Sequence, residues 1–182
     1  MNLIKEIKIK WREKQYRNYI NDHKIKVELA FDEMTSCPDL DWIDWEKDDL
    51  AFKLREKVEK HDNSKYSPEE FDAYRKNFYP IDEVEKALNK EDFEKAWEHH
   101  WKNNRHHWEA RQKDTVFTQE QVLDCLENVL DWMAMGYKFK DRPYQYYSKH
   151  AAEINLPNVQ RQYIKKVIFE GIDKKEIQKT NE

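Results

Sequence analysis

A histidine and an aspartate stand next to each other at positions 61 and 62. Apolar residues at three- and four-residue spacing precede the pair and predict a helix that ends there. At a helix end, an imidazole nitrogen and a carboxylate oxygen can approach one cation, and Zn, Mn, Fe or Co accepts this mixture of ligands. Since His-Asp pairs also arise by chance, His61 and Asp62 indicate a metal site only where other ligands accompany them.

The histidines outside this pair supply candidate partners. His23 lies within the apolar stripe of the first predicted helix, and His100 lies on the apolar face of a later one, whereas His99 lies on its polar face. An imidazole among apolar residues is either a ligand or a core side chain with a hydrogen-bonding partner. His106 and His107 follow near the end of the later helix, and either of them can reach back toward the same centre.

A carboxylate on a mostly apolar helix supplies a last candidate ligand. The helix predicted from Thr118 has a single polar stripe, which includes Asp124, Glu127 and Asp131. We expect Asp124 and Glu127 to face water. Asp131 lies between two large apolar residues, so it is either a ligand or part of the same solvated stripe.

The elements that must position these residues are all predicted to be helices. A first long helix ends near Thr35, and a second begins near Trp45. The run from Ser67 to Glu70 is a capping box with proline at the first helical position, so a third helix is predicted from Pro68 to about Phe78. Further helices are predicted at 82–88, around 93–101, from a second capping box at 118–121 to a C-capping Gly136, at 144–153 and at 157–170, with a frayed tail from 174.

The composition favours a single all-α domain over residues 1–182, with its core at about 16–170. Charged and hydrophobic residues each make up 38% of the chain, a balance that would favour disorder if aromatic residues did not make up 14%. Only two glycines are present, which disfavours hairpins and glycine-rich phosphate loops.

The net charge and the cysteines indicate which partners and which cellular compartment to expect. The net charge of −4 is mixed along the chain and does not support binding of nucleic acid. Cys37 and Cys125 are isolated, which fits a reducing compartment and leads us to expect a cytoplasmic protein. No apolar run approaches the ~18 residues of a membrane span, so we expect no association with a membrane.

The order of the candidate ligands, H…HD…H…H…D, resembles the pattern of the HD-domain superfamily of metal-dependent phosphohydrolases. The resemblance covers roughly Tyr16 to Tyr147, and the strings AWEHHWKNNRHHWE and DWMAMGYKF are similar to an uncharacterised bacterial and phage family within that group. It implies an HD-domain-like helical bundle in which one metal is held by His23, His61, Asp62 and Asp131. Members with additional histidines tend to bind two ions, which here implies a role for His100 and for His106 or His107.

The resemblance also implies an activity. The run from His61 to Lys65 looks like the HD-x-x-K form of many members, in which the lysine approaches the substrate phosphate. A bound ion lowers the pKa of water from about 15.7 to about 7, so a hydroxide becomes available as nucleophile. We therefore expect a metal-dependent phosphohydrolase or phosphodiesterase that uses Asp62, Lys65 and Arg105 on a small-molecule, nucleotide-like phosphoester. The cofactor would be a divalent metal, as two ions of Mn, Fe, Co, Zn, Ni or Mg.

Two other functions fit the same residues. Some proteins that resemble this superfamily hold a diiron centre in the same ligand set and act as oxygenases. A non-catalytic interaction protein of phage or mobile-element type, with a structural metal site, is the third possibility. The histidines after His61 lie unusually close together and no glycine-proline loop follows them, which argues against specificity for cyclic dinucleotides.

Overall fold

The computed structural model describes residues 3–180, and in that range the α-helix is the dominant element and no strand occurs. The predicted all-α fold class is therefore confirmed. None of the helices in this range combines the length and the apolar character needed to cross a membrane. The helices are α1 (Leu3–Thr35), α2 (Leu50–Lys60), α3 (Phe71–Phe78), α4 (Glu83–Leu88), α5 (Lys90–Asn103), α6 (Gln119–Phe139), α7 (Pro143–His150), α8 (Asn158–Lys165) and α9 (Lys174–Thr180).

The chain divides into two compact units. Unit 1 contains the chain up to His23 together with Asp62–Asn104, and unit 2 contains Lys24–His61 together with the chain from Arg105 onward. Each unit has a hydrophobic core of its own. Each core fixes the backbone that carries some of the candidate ligands.

The core of unit 1 is mainly aromatic. Tyr16 and Ile20 of α1 are fully buried and pack with Tyr74 of α3 and Ala96 of α5. The ring of Tyr16 lies 5.2 Å from that of Phe71, centroid to centroid. Large rings bury much apolar area per residue, which is how a chain with few aliphatic residues builds this core.

The third helix begins later than the capping-box pattern predicts. α3 begins at Phe71, not at Pro68, and the residues from Pro68 to Glu70 form a turn. A capping box needs the glutamate side chain to bond back to the start of the helix. The Glu70 carboxylate instead bonds to two imidazoles of α5, so it does not cap the helix.

The core of unit 2 is mainly aliphatic and surrounds α6. Twelve residues of α6 are buried, because α2 and α8 both pack against it. The predicted capping box at Thr118 and Gln121 is present. The residues after α8, Lys166–Ile172, continue as a π-helix, and Gly171 there packs so closely on Leu40 that a Cβ atom would lie 2.2 Å from its Cδ2.

Three predicted boundaries in unit 2 are wrong. α6 ends at Phe139 with Lys140 as its left-handed cap (φ 60°), so Gly136 is not a C-cap. A Cβ atom on Gly136 would lie 2.6 Å from the carbonyl oxygen of Asp141, so the glycine instead allows the returning chain to approach. α2 begins at Leu50 after a 3-10 turn rather than near Trp45. The tail that was predicted to be frayed is helical over Lys174–Thr180. Residues 181–182 lie outside the described range.

Candidate metal centre

The Asp62 carboxylate lies at the centre of a buried cluster in unit 1. Asp62 follows the end of α2 and is 1% exposed. Its backbone is left-handed, with φ 57° and ψ 16°, a conformation that aspartate tolerates better than most residues. Strained backbone of this kind is concentrated at functional sites, where the surrounding structure holds it in place.

Two imidazoles face the two oxygens of this carboxylate. His23 Nε2, from α1, lies 3.4 Å from Asp62 Oδ2, and His100 Nε2, from α5, lies 3.2 Å from Oδ1. Lys65 Nζ lies 2.5 Å from Oδ2. Both imidazoles are buried, and the Lys65 side chain is 14% exposed. We call these four residues the Asp62 cluster.

Glu70 holds the outer nitrogen of His100. Its carboxylate, which is fully buried, lies 2.8 Å from His99 Nδ1 through Oε1 and 2.8 Å from His100 Nδ1 through Oε2. A carboxylate accepts hydrogen bonds, so each imidazole donates from Nδ1, and the Nε2 of His100 is left to bind a cation or to carry a second proton. His99 is 36% exposed and does not contact Asp62.

The Nε2 of His100 in turn faces the acceptor Asp62 Oδ1. Two acceptors 3.2 Å apart require a proton or a cation between them. Burial alone would lower the pKa of His100, but the negative charges of Asp62 and Glu70 outweigh it and raise the pKa above its ordinary value. The cluster thus favours positive charge at this position.

A second buried cluster lies in unit 2, around Glu127 of α6. Glu127 Oε1 lies 2.9 Å from His61 Nδ1 and 3.2 Å from His106 Nδ1, and the two imidazole rings are 4.3 Å apart. These three residues are placed closely enough to hold a metal ion. Asp131, one turn further along α6, has its Oδ1 4.0 Å from His61 Nε2. We call these four residues the Glu127 cluster.

The expectation that Asp124 and Glu127 face water is wrong. Glu127 is 6% exposed and Asp124 is fully buried, because neighbouring elements cover α6 on several sides. Burial would raise the pKa of Glu127, but the charges and hydrogen bonds of His106 and His61 lower it to about 2. Asp124 accepts hydrogen bonds from Lys57 at 2.9 Å and from Arg105 at 3.0 Å.

A buried guanidinium fixes the backbone of His106. Arg111 is fully buried and donates from Nη2 to the His106 carbonyl at 3.1 Å and to Asn128 Oδ1 at 2.6 Å. Its Nη1 donates to Cys125 Sγ at 3.0 Å. The hydrogen bond from Arg111 to the His106 carbonyl holds His106 close to Glu127. The neighbouring His107 is only half-buried.

The predicted site residues thus fall into the two units. His23, Asp62, Lys65 and His100 are brought together in unit 1, and His61, His106 and Asp131 are brought together in unit 2. His107 has its ring 4.2 Å from that of His106. Arg105 pairs with Asp114 at 2.7 Å as well as with Asp124, so its predicted contact with a substrate phosphate stays a prediction.

Sequence reasoning missed the two glutamates that hold the histidines. Glu127 lies four residues before Asp131, and residues at this spacing share one face of a helix, so the pair was a signal that both carboxylates point the same way. Glu70 gave no such signal, because its place in a capping-box pattern already accounted for it.

Comparison with known proteins gives a family but no activity. The model of a family of unknown function (DUF5662) matches residues 12–177, a range that contains every residue of both clusters. No match was found among curated proteins or among solved structures.

Proposed function

The chain belongs to the family of unknown function DUF5662, and we propose that it is a metal-dependent phosphohydrolase or phosphodiesterase acting on a nucleotide-like phosphoester. The observation that carries the proposal is the Asp62 cluster, in which two buried imidazoles face the two oxygens of one carboxylate and a lysine lies beside it. The resemblance of the H…HD…H…H…D pattern to HD-domain phosphohydrolases supports the same chemistry.

The donor set fits a divalent transition metal. Ligand atoms about 2.1 Å from a tetrahedral ion lie about 3.4 Å from one another. The distances of 3.4 Å from His23 and 3.2 Å from His100 to the Asp62 oxygens are of this size. Glu70 fixes the tautomer of His100, as carboxylates commonly do for metal-bound histidines, and leaves Nε2 as the donor.

The Glu127 cluster fits the same chemistry. Glu127 accepts from Nδ1 of His61 and His106, so the Nε2 of each ring is the donor. His61 Nε2 and Asp131 Oδ1 are 4.0 Å apart, and both would be ligands of an ion held there. We propose ions of the borderline class, Mn, Fe, Co, Zn or Ni, or Mg, with about two ions per chain.

A bound ion supplies a water of lowered pKa and neutralises charge on phosphoryl oxygens. The residues of the chain bind and orient the substrate. A protonated lysine cannot be a ligand, so the proposed role of Lys65 is to place a positive charge beside Asp62, where a phosphate oxygen can accept a hydrogen bond from it. The Lys65 side chain is 14% exposed within an otherwise buried cluster and marks the side from which substrate would approach.

The proposed location is the cytoplasm. Cys37 and Cys125 are both free thiols, and burial raises the pKa of Cys125 to about 11, so it is protonated at neutral pH. Free thiols of this kind accord with a reducing compartment.

The test is a turnover screen on purified protein with Mn, Co, Mg or Ni supplied, against mononucleotides, dinucleotides and generic phosphoesters. We expect hydrolysis of at least one phosphoester, which is lost in Asp62→Ala and on chelation. Metal bound at full occupancy without any hydrolysis would refute the proposal in favour of a non-catalytic protein. Consumption of oxygen by the iron-loaded protein, without hydrolysis, would refute it in favour of a diiron oxygenase.

A further inference from the structure

His99 is connected to the Asp62 cluster through Glu70, although it does not contact Asp62 itself. Its Nδ1 donates to Glu70 Oε1 at 2.8 Å, and His100 Nδ1 donates to Glu70 Oε2 at 2.8 Å. The Nε2 of His100 lies 3.2 Å from Asp62 Oδ1. A continuous path of contacts within unit 1 therefore leads from a side chain that is 36% exposed to the centre of the cluster.

Glu70 depends on His99 because its carboxylate is fully buried. His99 donates to one carboxylate oxygen, and His100 donates to the other. A buried oxygen that loses its donor is left unsatisfied, which costs free energy, so the carboxylate turns toward another donor. Removal of the His99 donor would therefore release Glu70 from its present orientation and weaken its contact with His100.

The imidazole of His100 has a second acceptor within reach when Glu70 turns away. Ser64 Oγ lies 3.1 Å from His100 Nδ1. Asn104 Nδ2 donates to Ser64 Oγ and to the His100 carbonyl, at 2.7 Å each, and so holds the hydroxyl group in place. If Nδ1 donated to Ser64 instead of Glu70, the ring would tilt and Nε2 would move relative to Asp62. The ring would still be hydrogen-bonded, so we expect the fold to survive this change.

We infer that His99 is a positioning residue for the candidate metal centre. By donating to Glu70 it holds the carboxylate against His100, and this contact aims Nε2 of His100 at a cation bound beside Asp62. A carboxylate commonly orients a metal-bound histidine in this way, and here the carboxylate is itself held by a further histidine. The inference rests on the proposed metal-dependent function. It gives a role to a side chain that the polar face of α5 would otherwise mark as a surface residue.

The test is a pair of substitutions at one position, His99→Leu and His99→Asn. Leucine fills a similar volume and favours a helix, but it has no donor. The amide nitrogen of asparagine can take the place of Nδ1 and donate to Glu70. In chelator-treated protein, we expect the Co²⁺ affinity of one site to fall about 10-fold in His99→Leu, the lower end of the effect of losing a group that orients a ligand. The affinity should be restored in His99→Asn. His99→Ala lacks the same donor and differs in volume, so it repeats the test independently of packing.

The visible spectrum of the Co²⁺ form distinguishes positioning from general stability. A displaced Nε2 changes the ligand field of the ion, whereas a less stable fold lowers the melting temperature and leaves the spectrum of the folded protein as it was. We expect a changed spectrum in His99→Leu and the original spectrum in His99→Asn. The number of bound ions should be the same in both, because His99 supplies no ligand.

The matched control is His150→Leu. His150 Nδ1 also bonds to a glutamate, Glu153, at 3.0 Å, but that carboxylate is 73% exposed. Solvent can therefore replace the lost hydrogen bond. This variant should bind Co²⁺ with the affinity and the spectrum of the unmodified protein.

Three results would overturn the inference. These are a Co²⁺ affinity and spectrum that His99→Leu leaves unchanged, a His99→Asn protein that is as impaired as His99→Leu, and an unmodified protein that binds no Co²⁺. Co²⁺ binding without hydrolysis of any phosphoester, together with a changed spectrum in His99→Leu alone, would refute the proposed hydrolase activity and support the positioning role. Hydrolysis together with an unchanged spectrum in His99→Leu would do the reverse.

Discussion

Replacement of Glu127 by glutamine should weaken metal binding without unfolding the protein. Glu127 is nearly fully buried and accepts hydrogen bonds from His61 Nδ1 at 2.9 Å and from His106 Nδ1 at 3.2 Å. Glutamine has almost the same shape, but its amide is neutral and its NH₂ group cannot accept a hydrogen bond. Both histidines bond to Oε1, so the amide oxygen can keep both hydrogen bonds, and what both histidines lose is the neighbouring negative charge.

The expected size of the effect follows from two quantities. A pKa of about 2 in place of the ordinary 4.5 corresponds to about 3 kcal/mol in favour of the charged carboxylate next to the two imidazoles. Loss of a carboxylate that orients metal-bound histidines typically lowers metal affinity about 10–100-fold. We expect a decrease in that range, because the histidines themselves are still present.

The assay is calorimetric titration of chelator-treated protein with Co²⁺ or Zn²⁺, together with the visible spectrum of the Co²⁺ form. The matched control is Glu120→Gln on the same helix, because Glu120 is 60% exposed and pairs with Lys57 rather than with a histidine. The control should bind metal as the unmodified protein does. A changed Co²⁺ spectrum in Glu127→Gln alone would report altered ligand geometry, which a general loss of stability does not produce.

Metal affinity and spectrum that are equal in Glu127→Gln, Glu120→Gln and the unmodified protein would refute this reasoning. Such a result would mean that the Glu127 cluster is a structural hydrogen-bond network. A complete loss of binding, well beyond 100-fold, would instead assign Glu127 as a direct ligand. Both alternatives are distinguished from an orienting role by the size of the change.

The remaining predictions concern the ligands, the lysine, the metal count and acid stability. His61→Ala and Asp62→Ala should each abolish metal-supported phosphoester hydrolysis while circular dichroism shows a folded helical protein, and full activity in either variant would exclude the site. Lys65→Ala should reduce turnover or substrate affinity at unchanged metal content, since Lys65 contacts Asp62 at 2.5 Å but cannot ligate while protonated; loss of metal would show a structural role. Elemental analysis should find about two ions per chain, falling toward about one in His100→Ala and not in His99→Ala, and equal loss from both variants would contradict the two-metal hypothesis. In metal-free protein, the lowered pKa of Glu127 adds stability that is present above about pH 4.5 and is lost as the pH falls toward about 2. Urea midpoints should therefore decrease more steeply over that interval in the unmodified protein than in Glu127→Gln, and equal slopes would contradict the assignment.

The sequence predicted where helices lie better than where they begin and end. The apolar stripe of α1 correctly predicted its end at Thr35, because a run of buried positions at helical spacing continues to that residue. The end of α6 was misjudged because glycine serves close approach as well as C-capping, and only the position of Asp141 distinguishes the two. The start of α3 depended on where the Glu70 side chain bonds, which is a tertiary contact.

The sequence likewise predicted some of the candidate ligands and misjudged others. His23 and His100 were identified because an imidazole on an apolar face is conspicuous, and both are buried. Glu127 was misjudged because helical periodicity reports which residues share a face and does not report whether another element covers that face. The choice between His106 and His107 depends on burial and on the contact of His106 with Arg111, neither of which spacing reveals.

The same arrangement, a buried glutamate that accepts hydrogen bonds from two histidines, occurs once in each unit. Glu70 accepts from His99 and His100, and Glu127 accepts from His61 and His106, in each case through Nδ1. Burial of a carboxylate costs desolvation free energy unless ion pairs and hydrogen bonds compensate for it. Apolar residues at either place would therefore often stabilise the fold as well or better. What the carboxylate adds is a fixed tautomer and ring orientation, with Nε2 available as a donor. A fixed histidine tautomer does little for a hydrophobic core, but it matters where Nε2 binds a cation. The two glutamates therefore support a metal site more strongly than the number of histidines does.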